Sequence, residues 1–330
     1  MTPNRTGHIG RLLRNGATAL AVLGLVAAAC GLVAIHSRFD HDVVVIAAAA
    51  APFLLAAGAV AAALALLTRR RVLALLCVLV VAAGTWTYLP LFRASPLPAD
   101  RADAPTIRLL QTNITVGGAD PVALTALARD RNIDIATVQE LTDDAVIALR
   151  EAGFEEQFEH RLLDPYPTGG GGSGIYSRLP LTSGGPIEGM TLSNLRADVD
   201  TGTGTPLTLY AVHPLPGFLA PARLWAADLV TLRRVLESPE NSGAVVVSGD
   251  FNATRSHRRF RDLLDAGYAE AADSTGAGLV PTYPTDKRIP ALIGIDHILT
   301  RGATATSLER VTIPNADHHG LIADIALIGS

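Results

Sequence analysis

Two polar residues follow an apolar run and could act on a phosphate. Residues 244–250 (AVVVSGD) end in Asp250, and Asn252 follows two positions later. Because side chains alternate along an extended backbone, this spacing predicts that Asp250 and Asn252 point to the same side. A carboxylate and an amide held together suit a metal-bound phosphate and its attacking water. This interpretation requires partner residues elsewhere in the chain.

Polar residues also end several other apolar runs. They are Asn113, Glu140, His213, Asp296 and the pair Asp317–His318. Loops at the ends of buried strands are where a rigid scaffold holds reacting groups. Carboxylate and amide oxygens are hard ligands for Mg²⁺, Mn²⁺ or Ca²⁺, and the chain has neither a Cys-rich nor an HExxH zinc pattern. The sequence therefore favours a hard divalent cation over zinc.

The elements that must position these residues are short strands with few, separated helices. Strands are predicted at 106–114, 132–140, 195–200, 206–216, 244–250, 294–300 and 318–328, with helices at 121–131, 142–152, 221–238 and 256–266. The glycine run 169–172 leads into a further short strand. No Lys-Ser/Thr pair follows that run as it would in a P-loop, so it predicts a flexible loop. The pattern favours an α+β sandwich over a doubly wound parallel sheet.

The first ninety residues have a different composition. Three apolar segments, at about 17–35, 43–67 and 72–89, contain no charge. A bilayer core of ~30 Å needs about 20 apolar residues, so each segment is long enough to span it, the third only just. A signal peptide followed by an Ala-rich bundle is the alternative, but three such segments in a row disfavour it. We predict a membrane domain over 1–90 with three transmembrane helices.

The charged flanks predict an orientation. Three arginines precede the first span, and Arg69, Arg70 and Arg71 lie between the second and third. Cationic flanks stay in the cytoplasm, so the N-terminus is predicted to be cytoplasmic. Everything after the third span is predicted to lie outside the cytoplasm, which makes the chain a multi-pass protein of the cell membrane. Residues 91–105 are Pro-rich and predict a linker to a separate domain over 106–330.

Charge also separates the two parts of the chain. Residues 1–103 contain nine Arg and four Asp, a net charge of +5, whereas the whole chain is −4, so residues 104–330 carry −9. A domain this acidic lacks the electrostatic footprint of a protein that grips nucleic acid through many phosphates. A local phosphate site bridged by a cation remains compatible with it.

Six segments resemble, in order, the motifs of the endonuclease/exonuclease/phosphatase family, the DNase I-like superfamily. They are QTNI (111–114), VQEL (138–141), VHPLP (212–216), SGDFNAT (248–254), GIDHIL (294–299) and ADHHGL (316–321). The resemblance covers about 106–328, and GDFN and the terminal DH are its most specific parts. It implies a four-layered α/β/β/α sandwich and metal-dependent hydrolysis of a phosphate ester.

The resemblance also implies a role for each site residue. Glu140 and Asn113 would be metal ligands, and Asp317 could complete the metal shell around Mg²⁺, or Mn²⁺ or Ca²⁺. Asp250 would activate water, and Asn252 would hold a phosphate oxygen. His318 would stabilise developing charge or protonate the leaving group, Asp296 would orient His318, and His213 would be a second phosphate-side histidine. These side chains, scattered over about two hundred positions, would have to meet around one divalent ion.

Structural interpretations stay open beside these roles. Asn113 could form a turn, Glu140 a structural ion pair, and Asp250 with Asn252 a helix cap. His213 lacks the carboxylate partner found in some relatives and could be a packed loop residue. His297 is predicted to be structural, and His319 is predicted to take no part in the site.

The substrate class also stays open. A phosphodiesterase of nuclease or phospholipid-headgroup type ranks first. A phosphomonoesterase on inositol or sugar phosphates and a non-catalytic surface binding protein are the alternatives. The predicted partners are a phosphoester substrate and the lipid bilayer, and no protein partner is inferred.

Overall fold

The computed structural model describes residues 5–95, 97, 101, 103–241 and 243–328. The chain divides into two compact units, one extending to Leu89 and including Arg255–Arg258, the other comprising Pro90–Thr254 and the residues from Arg259 onward. The predicted linker 91–105 includes residues 96, 98–100 and 102, which lie outside the described residues. The linker therefore stays a prediction.

The first unit is built from apolar helices. They are α1 (Arg5–His36), α2 (Asp42–Ala49), α3 (Ala51–Leu67) and α4 (Arg71–Thr85), which continues into a 3-10 helix, Trp86–Phe92. Residues 9–36 and 71–92 are each long and apolar enough to cross a membrane. The predicted span 43–67 is not one straight helix, because α2 and α3 meet at Ala50 with a 63° bend. Pro52, in the first turn of α3, cannot continue the hydrogen-bond ladder of α2. The chain thus has two candidate spans, or three if the bent pair crosses as one.

Small residues bring α1 and α3 close together. A Cβ added to Gly24 would lie 2.6 Å from the Cβ of Ala61, and one added to Gly58 would lie 2.6 Å from the Cβ of Ala28. In a bilayer the lipid is as apolar as the helices, so the hydrophobic effect does not drive helices together. Small residues such as Gly and Ala instead let the helix backbones approach closely and pack by van der Waals contact. A larger side chain at either glycine would push the two helices apart.

The second unit contains two six-stranded sheets. The strands of the first sheet are β1 (Thr106–Asn113), β2 (Ile135–Gln139), β3 (His160–Asp164), β4 (Ser173–Ser177), β11 (Ala303–Thr312) and β12 (His319–Leu327). Those of the second are β5 (Leu181–Pro186), β6 (Leu195–Val199), β7 (Leu207–Val212), β8 (Ala244–Asp250), β9 (Ala269–Glu270) and β10 (Asp296–Arg301). The first sheet has the order β11-β12-β1-β2-β4-β3 and the second the order β5-β6-β7-β8-β10-β9.

Each sheet contains one parallel pair joined by a helical crossover. Strands β1 and β2 are parallel, as are β7 and β8, and every other named pair is antiparallel. The helices of this unit are α5 (Pro121–Asp130), α6 (Asp143–Glu151), α7 (Ala222–Leu236), α8 (Arg258–Leu264) and α9 (Ala271–Thr275). A parallel pair needs such a crossover, because a tight turn cannot return the chain to the starting end. Helix α5 joins β1 to β2, and α7 joins β7 to β8.

Side-chain alternation builds the layers. Leu109 and Ile135 of the first sheet share a buried core with Leu209 and Val246 of the second. The alternate residues of β1 and β2 face the other way and pack against α5 and α6 in a second core. On β8, the neighbours of Val246 are also fully buried, on the face that the crossover helix α7 must cover. The four-layered α/β/β/α sandwich is therefore confirmed.

Four strands of this sandwich are absent from the sequence prediction. They are β3, β5, β9 and β11. All four lie at sheet edges, where one backbone side is unpaired and polar side chains are tolerated. Strand β5 (LTSGGP) is largely exposed and contains two glycines, and β9 has only two residues. Neither carries the apolar alternation by which a strand is recognised.

Candidate active site

The polar residues meet where the inner faces of the two sheets end. Asn113 ends β1 and is paired in register with Gln139 of β2. Asp250 ends β8 and lies directly opposite Asp296, the first residue of β10. Each of the four lies on the same face of its strand as residues of the core between the sheets. They therefore continue that apolar core with polar side chains. The core therefore ends in a buried polar cluster.

Asn113 links two carboxylates. Its side-chain amide Nδ2 donates to Glu140 Oε1 and to Asp250 Oδ2, at 3.1 Å each. Glu140 adopts a left-handed backbone conformation, with φ of 61°. Its Oε2 accepts a hydrogen bond of 2.6 Å from the backbone N–H of Val116. Burial raises the pKa of Glu140, although these hydrogen bonds oppose the shift.

Asp317 is held at the same end by a neighbouring loop. Thr115 Oγ1 donates to Asp317 Oδ1 at 2.6 Å, and the backbone N–H of Asp317 donates back to Thr115 Oγ1 at 2.8 Å. The charge of Asp317 contributes to the raised pKa of Glu140. Asp317 Oδ1 lies 3.9 Å from Nε2 of His318. The loop after β1 and the turn before β12 thus place their polar residues together.

His318 is oriented by a carboxylate. Its Nδ1 lies 2.8 Å from Asp296 Oδ2, and Asp296 Oδ1 accepts a hydrogen bond of 2.7 Å from Gln111 Nε2. Burial favours neutral imidazole, but the charges of Asp296 and Asp250 dominate and raise the pKa of His318 to about 10. His318 is therefore an imidazolium at neutral pH, with Nε2 directed toward Asp250 Oδ2 at 3.7 Å.

Asp250 occupies the centre of the cluster. Burial, and then the nearby charge of Asp296, raise its pKa to about 6, against the opposing effect of His318 and His213. Nε2 of His213 lies 3.8 Å from Asp250 Oδ2. Burial lowers the pKa of His213, and within the described residues its Nδ1 has no hydrogen-bond partner. A neutral histidine and an imidazolium therefore flank one carboxylate.

Asn252 is placed differently from the sequence expectation. Strand β8 ends at Asp250, and Asn252 has a φ of 49°, so strand alternation does not extend to it. The backbone N–H of Asn252 donates to Asp250 Oδ1 at 2.8 Å, and its Nδ2 donates to the carbonyl of Pro214 at 3.0 Å. The structure thus fixes Asn252 beside Asp250 through a turn that the Asp250 side chain itself stabilises.

The glycine loop is packed against the site rather than loose, which corrects the expectation of a flexible loop. A Cβ on Gly170 would lie 3.0 Å from Cδ of Glu140, and one on Gly172 would lie 2.1 Å from the carbonyl oxygen of Leu141. A Cβ on Gly171 would overlap the ring of Tyr166. The glycines are needed because the loop backbone lies directly on Glu140 and its neighbour.

The donor chemistry fits a hard divalent cation. The half-buried Glu140 and the buried Asp250 are two carboxylates held around one neutral amide. Burial raises both pKa values, so a cation beside them would stabilise their ionised forms. A second group, Asp250, Asp296 and His318, has ligand atoms within 4.8 Å of one another. In that group both oxygens of Asp296 already accept hydrogen bonds. The Glu140 side of Asp250 is therefore the better cation position.

Several residues of the site were not identified from the sequence. Gln111 supports Asp296 and also donates to Gln139 Oε1 at 3.0 Å. Its position two residues before Asn113, on the same strand face, is a signal that could have indicated it. No local pattern marks Thr115 or Tyr283, whose ring centroid lies 4.8 Å from that of His318. Both reach the site through contacts between distant segments.

The two neighbouring histidines lie differently. His297 is buried, with Nδ1 2.7 Å from Glu270 Oε1 and Nε2 2.8 Å from the carbonyl of Ala253. His319 is half-buried, and Nδ1 lies 3.5 Å from Thr312 Oγ1. Both histidines therefore have structural contacts, whereas Nε2 of His318 and of His213 face Asp250.

Comparisons with known proteins agree with this architecture. A crystal structure of an endonuclease/exonuclease/phosphatase from Bacteroides vulgatus has a TM-score of 0.54 at 17% identity, covering 68% of this chain and 99% of that one. D. rerio TDP2 complexed with a single-strand DNA product has a TM-score of 0.53 at 14% identity, over 67% and 98% of the two chains. A mannosyl-6-phosphatase from Bacteroides thetaiotaomicron has a TM-score of 0.51 at 13% identity, over 67% and 99%. No curated protein has a significant sequence match.

The solved structures share the fold of this chain, and the family model identifies it as a phosphoester hydrolase. The model of the Endonuclease/Exonuclease/phosphatase family matches residues 110–320, which include every candidate site residue. The chain belongs to this family, and the structure confirms the fold that the motif resemblance implied.

Proposed function

We propose that this protein is a membrane-anchored, metal-dependent phosphodiesterase with its site outside the cytoplasm. The observation that carries the proposal is the convergence on Asp250: Asn113 Nδ2 links its carboxylate to that of Glu140, and Nε2 of His318 lies 3.7 Å from it. The carboxylate of Asp250 thus lies between the proposed cation position beside Glu140 and the imidazolium of His318, which is the proposed acid. The two or three apolar helices supply the anchor, and the arginine flanks supply the orientation.

In this proposal Glu140, Asn113 and Asp317 would hold the metal, with Asp250 adjacent; Asn113 would bind through Oδ1, which accepts a hydrogen bond of 2.9 Å from the Thr115 N–H. A bound Mg²⁺, or Mn²⁺ or Ca²⁺, supplies charge neutralisation at the phosphoryl oxygens. The orientation of Asp317 by Thr115 and of Glu140 by the Val116 N–H supports these assignments.

The remaining residues handle the water and the leaving group. Asp250, with a pKa of about 6, is ionised at neutral pH and accepts a proton from water. Asn252 holds a phosphate oxygen, and neutral His213 contacts the phosphate. His318, held by Asp296, stabilises the transition-state charge and donates its proton to the leaving oxygen. The opposite protonation of two groups 3.7 Å apart supports a base and an acid in one site.

The full chain, purified in detergent, tests the proposal with bis-p-nitrophenyl phosphate and Mg²⁺ or Mn²⁺. We expect metal-dependent turnover that Asp250→Asn lowers by about 10³-fold or more, because the water loses its base. Asp130→Asn is the matched control, since Asp130 lies on the exposed surface of α5. Turnover of p-nitrophenyl phosphate alone would favour a phosphomonoesterase. No metal-dependent turnover of either ester would favour a non-catalytic binding protein.

A further inference from the structure

An exposed apolar surface begins at the catalytic histidine. The ring of Tyr283 lies against His318, and the ring of Phe218 follows at 6.4 Å from Tyr283, centroid to centroid. Phe218 is 55% exposed and Leu219 is 78% exposed. His318 is the proposed proton donor to the leaving oxygen. The rings of Tyr283 and Phe218 therefore extend outward from the side of the site where the leaving group would lie.

The loop that carries Phe218 is held in place. Residues 214–221 (PLPGFLAP) contain three prolines, which restrict the backbone. The backbone N–H of Leu215 donates to the buried carboxylate of Asp228 at 2.9 Å, and the carbonyl of Pro214 accepts from Asn252. The exposed phenyl ring therefore lies on a preorganised loop that is hydrogen-bonded to the site residue Asn252. Fixing this loop when a ligand binds costs little conformational entropy.

A second loop extends the surface from Tyr283. The bridge between Tyr283 and Ile293 closes residues 284–292 (PTDKRIPAL), and Thr285 bonds to the backbone carbonyls of Ala316 and Asp317. Ile289 and Leu292 on this loop are 50% and 44% exposed. Lys287 and Arg288 precede Ile289 on the same loop, and Lys287 forms an ion pair with Asp286.

We propose that the substrate is a phospholipid whose acyl-bearing part lies on this apolar rim, defined as Phe218, Leu219, Tyr283, Ile289 and Leu292. This inference rests on the proposed phosphodiesterase function and gives its substrate class. The oxygen of water forms a new bond to phosphorus, and the bond from phosphorus to the diacylglycerol oxygen breaks. That oxygen keeps the electron pair and takes the proton of His318, while Asp250 takes the proton of water. The products are diacylglycerol and the phosphorylated headgroup.

The chemistry of the rim favours a lipid over a nucleic acid. Three of its five members are aliphatic, and aliphatic side chains bind acyl chains but do not stack on bases as aromatic platforms do. Nucleic-acid binding also draws on many cationic contacts, which a −9 domain does not offer. Residues 286–288 carry one net positive charge, because Asp286 pairs with Lys287, and a cation beside aliphatic residues matches the anionic phosphate layer above acyl chains. The apolar N-terminal helices would keep the chain at such a surface.

The test compares two diesters in the full chain in mixed detergent micelles. Phosphatidylcholine and phosphatidylglycerol serve as lipid substrates, and bis-p-nitrophenyl phosphate serves as the diester without acyl chains. We expect the wild-type protein to release diacylglycerol. We expect Phe218→Ser to lower the ratio of lipid turnover to bis-p-nitrophenyl phosphate turnover about tenfold or more, because a phenyl ring is no longer transferred from water to the acyl chains on binding. Ile147→Ser, at a residue 50% exposed on α6, is the matched control and should leave the ratio unchanged.

A fluorescence measurement covers the case in which Phe218→Ser folds poorly. Phe218→Trp in vesicles with brominated acyl chains should show quenching that Ile147→Trp does not. Equal quenching at the two positions overturns the proposal, and so does an unchanged turnover ratio. Turnover of bis-p-nitrophenyl phosphate and single-stranded DNA without any lipid hydrolysis overturns the lipid substrate while leaving the phosphodiesterase intact. Absence of turnover on all diesters instead contradicts the phosphodiesterase itself.

Discussion

Replacing Glu270 with Gln tests whether a buried ion pair stabilises the domain that carries the site. Both ring nitrogens of His297 face oxygen acceptors, Glu270 Oε1 at 2.7 Å and the carbonyl of Ala253 at 2.8 Å. A ring that donates to both must carry two protons and a positive charge. Burial opposes that charge, but Glu270 overcomes it, and the pKa of His297 is raised. The ion pair also holds Ala253, the residue after Asn252.

The expected magnitude follows from the burial of the pair. Both side chains are 6% exposed, so the charge-assisted bond is shielded from water and contributes about 1.5–3 kcal/mol. Because the folded-state pKa of His297 is raised, this stabilisation is fully present below the unfolded pKa of about 6.5 and is lost as pH rises through the folded pKa. We expect Glu270→Gln to lower the free energy of unfolding by ~2 kcal/mol at pH 6 and by much less at high pH.

Urea unfolding of the full chain in detergent measures this difference. Trp225 is buried in the second unit and reports its unfolding by fluorescence once Trp86 is replaced with Phe. Glu309→Gln is the matched control, since Glu309 also forms an ion pair at 2.7 Å, with Arg131, but both side chains are more than two-fifths exposed. An exposed pair contributes about 0–1 kcal/mol.

Two results would refute this reasoning. A loss of stability for Glu270→Gln that stays constant or grows from pH 6 to pH 9 would show that His297 is not a raised-pKa imidazolium. A loss no larger than that of Glu309→Gln at pH 6 would show that burial does not strengthen the pair.

Three further predictions concern the site and the anchor. Asp296→Asn should lower kcat about 10²–10⁴-fold with a small change in KM, because the histidine it bonds would lose its fixed orientation; an unchanged kcat would contradict that role. Gly170→Ala should weaken activation by Mg²⁺, measured by metal titration, because its Cβ would lie 3.0 Å from Glu140, whereas Gly185→Ala, with open space around it, should not; equal effects would remove the steric explanation. Reporter fusions at residue 105 should read as extracytoplasmic, and a cytoplasmic signal would overturn the predicted orientation.

Much of the fold could be predicted because its signals are local. The apolar runs before Asn113 and Asp250 identify buried strands, and the order of six motifs indicates the family. The strands at the sheet edges gave no such signal, because half of their backbone needs no partner and polar side chains are therefore tolerated there. The bend at Ala50 likewise depends on Pro52 within an otherwise uniform apolar segment.

The placement of the site residues could be predicted less well than their identities. Asn113, Asp250 and Asp296 lie at the ends of their strands, as the apolar runs predicted. Alternation was applied only to Asp250 and Asn252. It fails for Asn252, because the strand ends two residues earlier and the Asp250 side chain holds the turn. Tyr283 and Phe218 were not indicated at all, since nothing in either local sequence reveals that the two rings meet.

The sequence by itself determined which residues could do chemistry and which strands carry them. It also determined the approximate bounds of the apolar N-terminal helices. These features depend on side-chain type and spacing, which act over a few residues. Only the tertiary structure decided that one amide would hold two carboxylates, from positions 27 and 137 residues away along the chain. It also decided the pKa values of Asp250 and His318, because burial and the distance between charges exist only once the two sheets have packed.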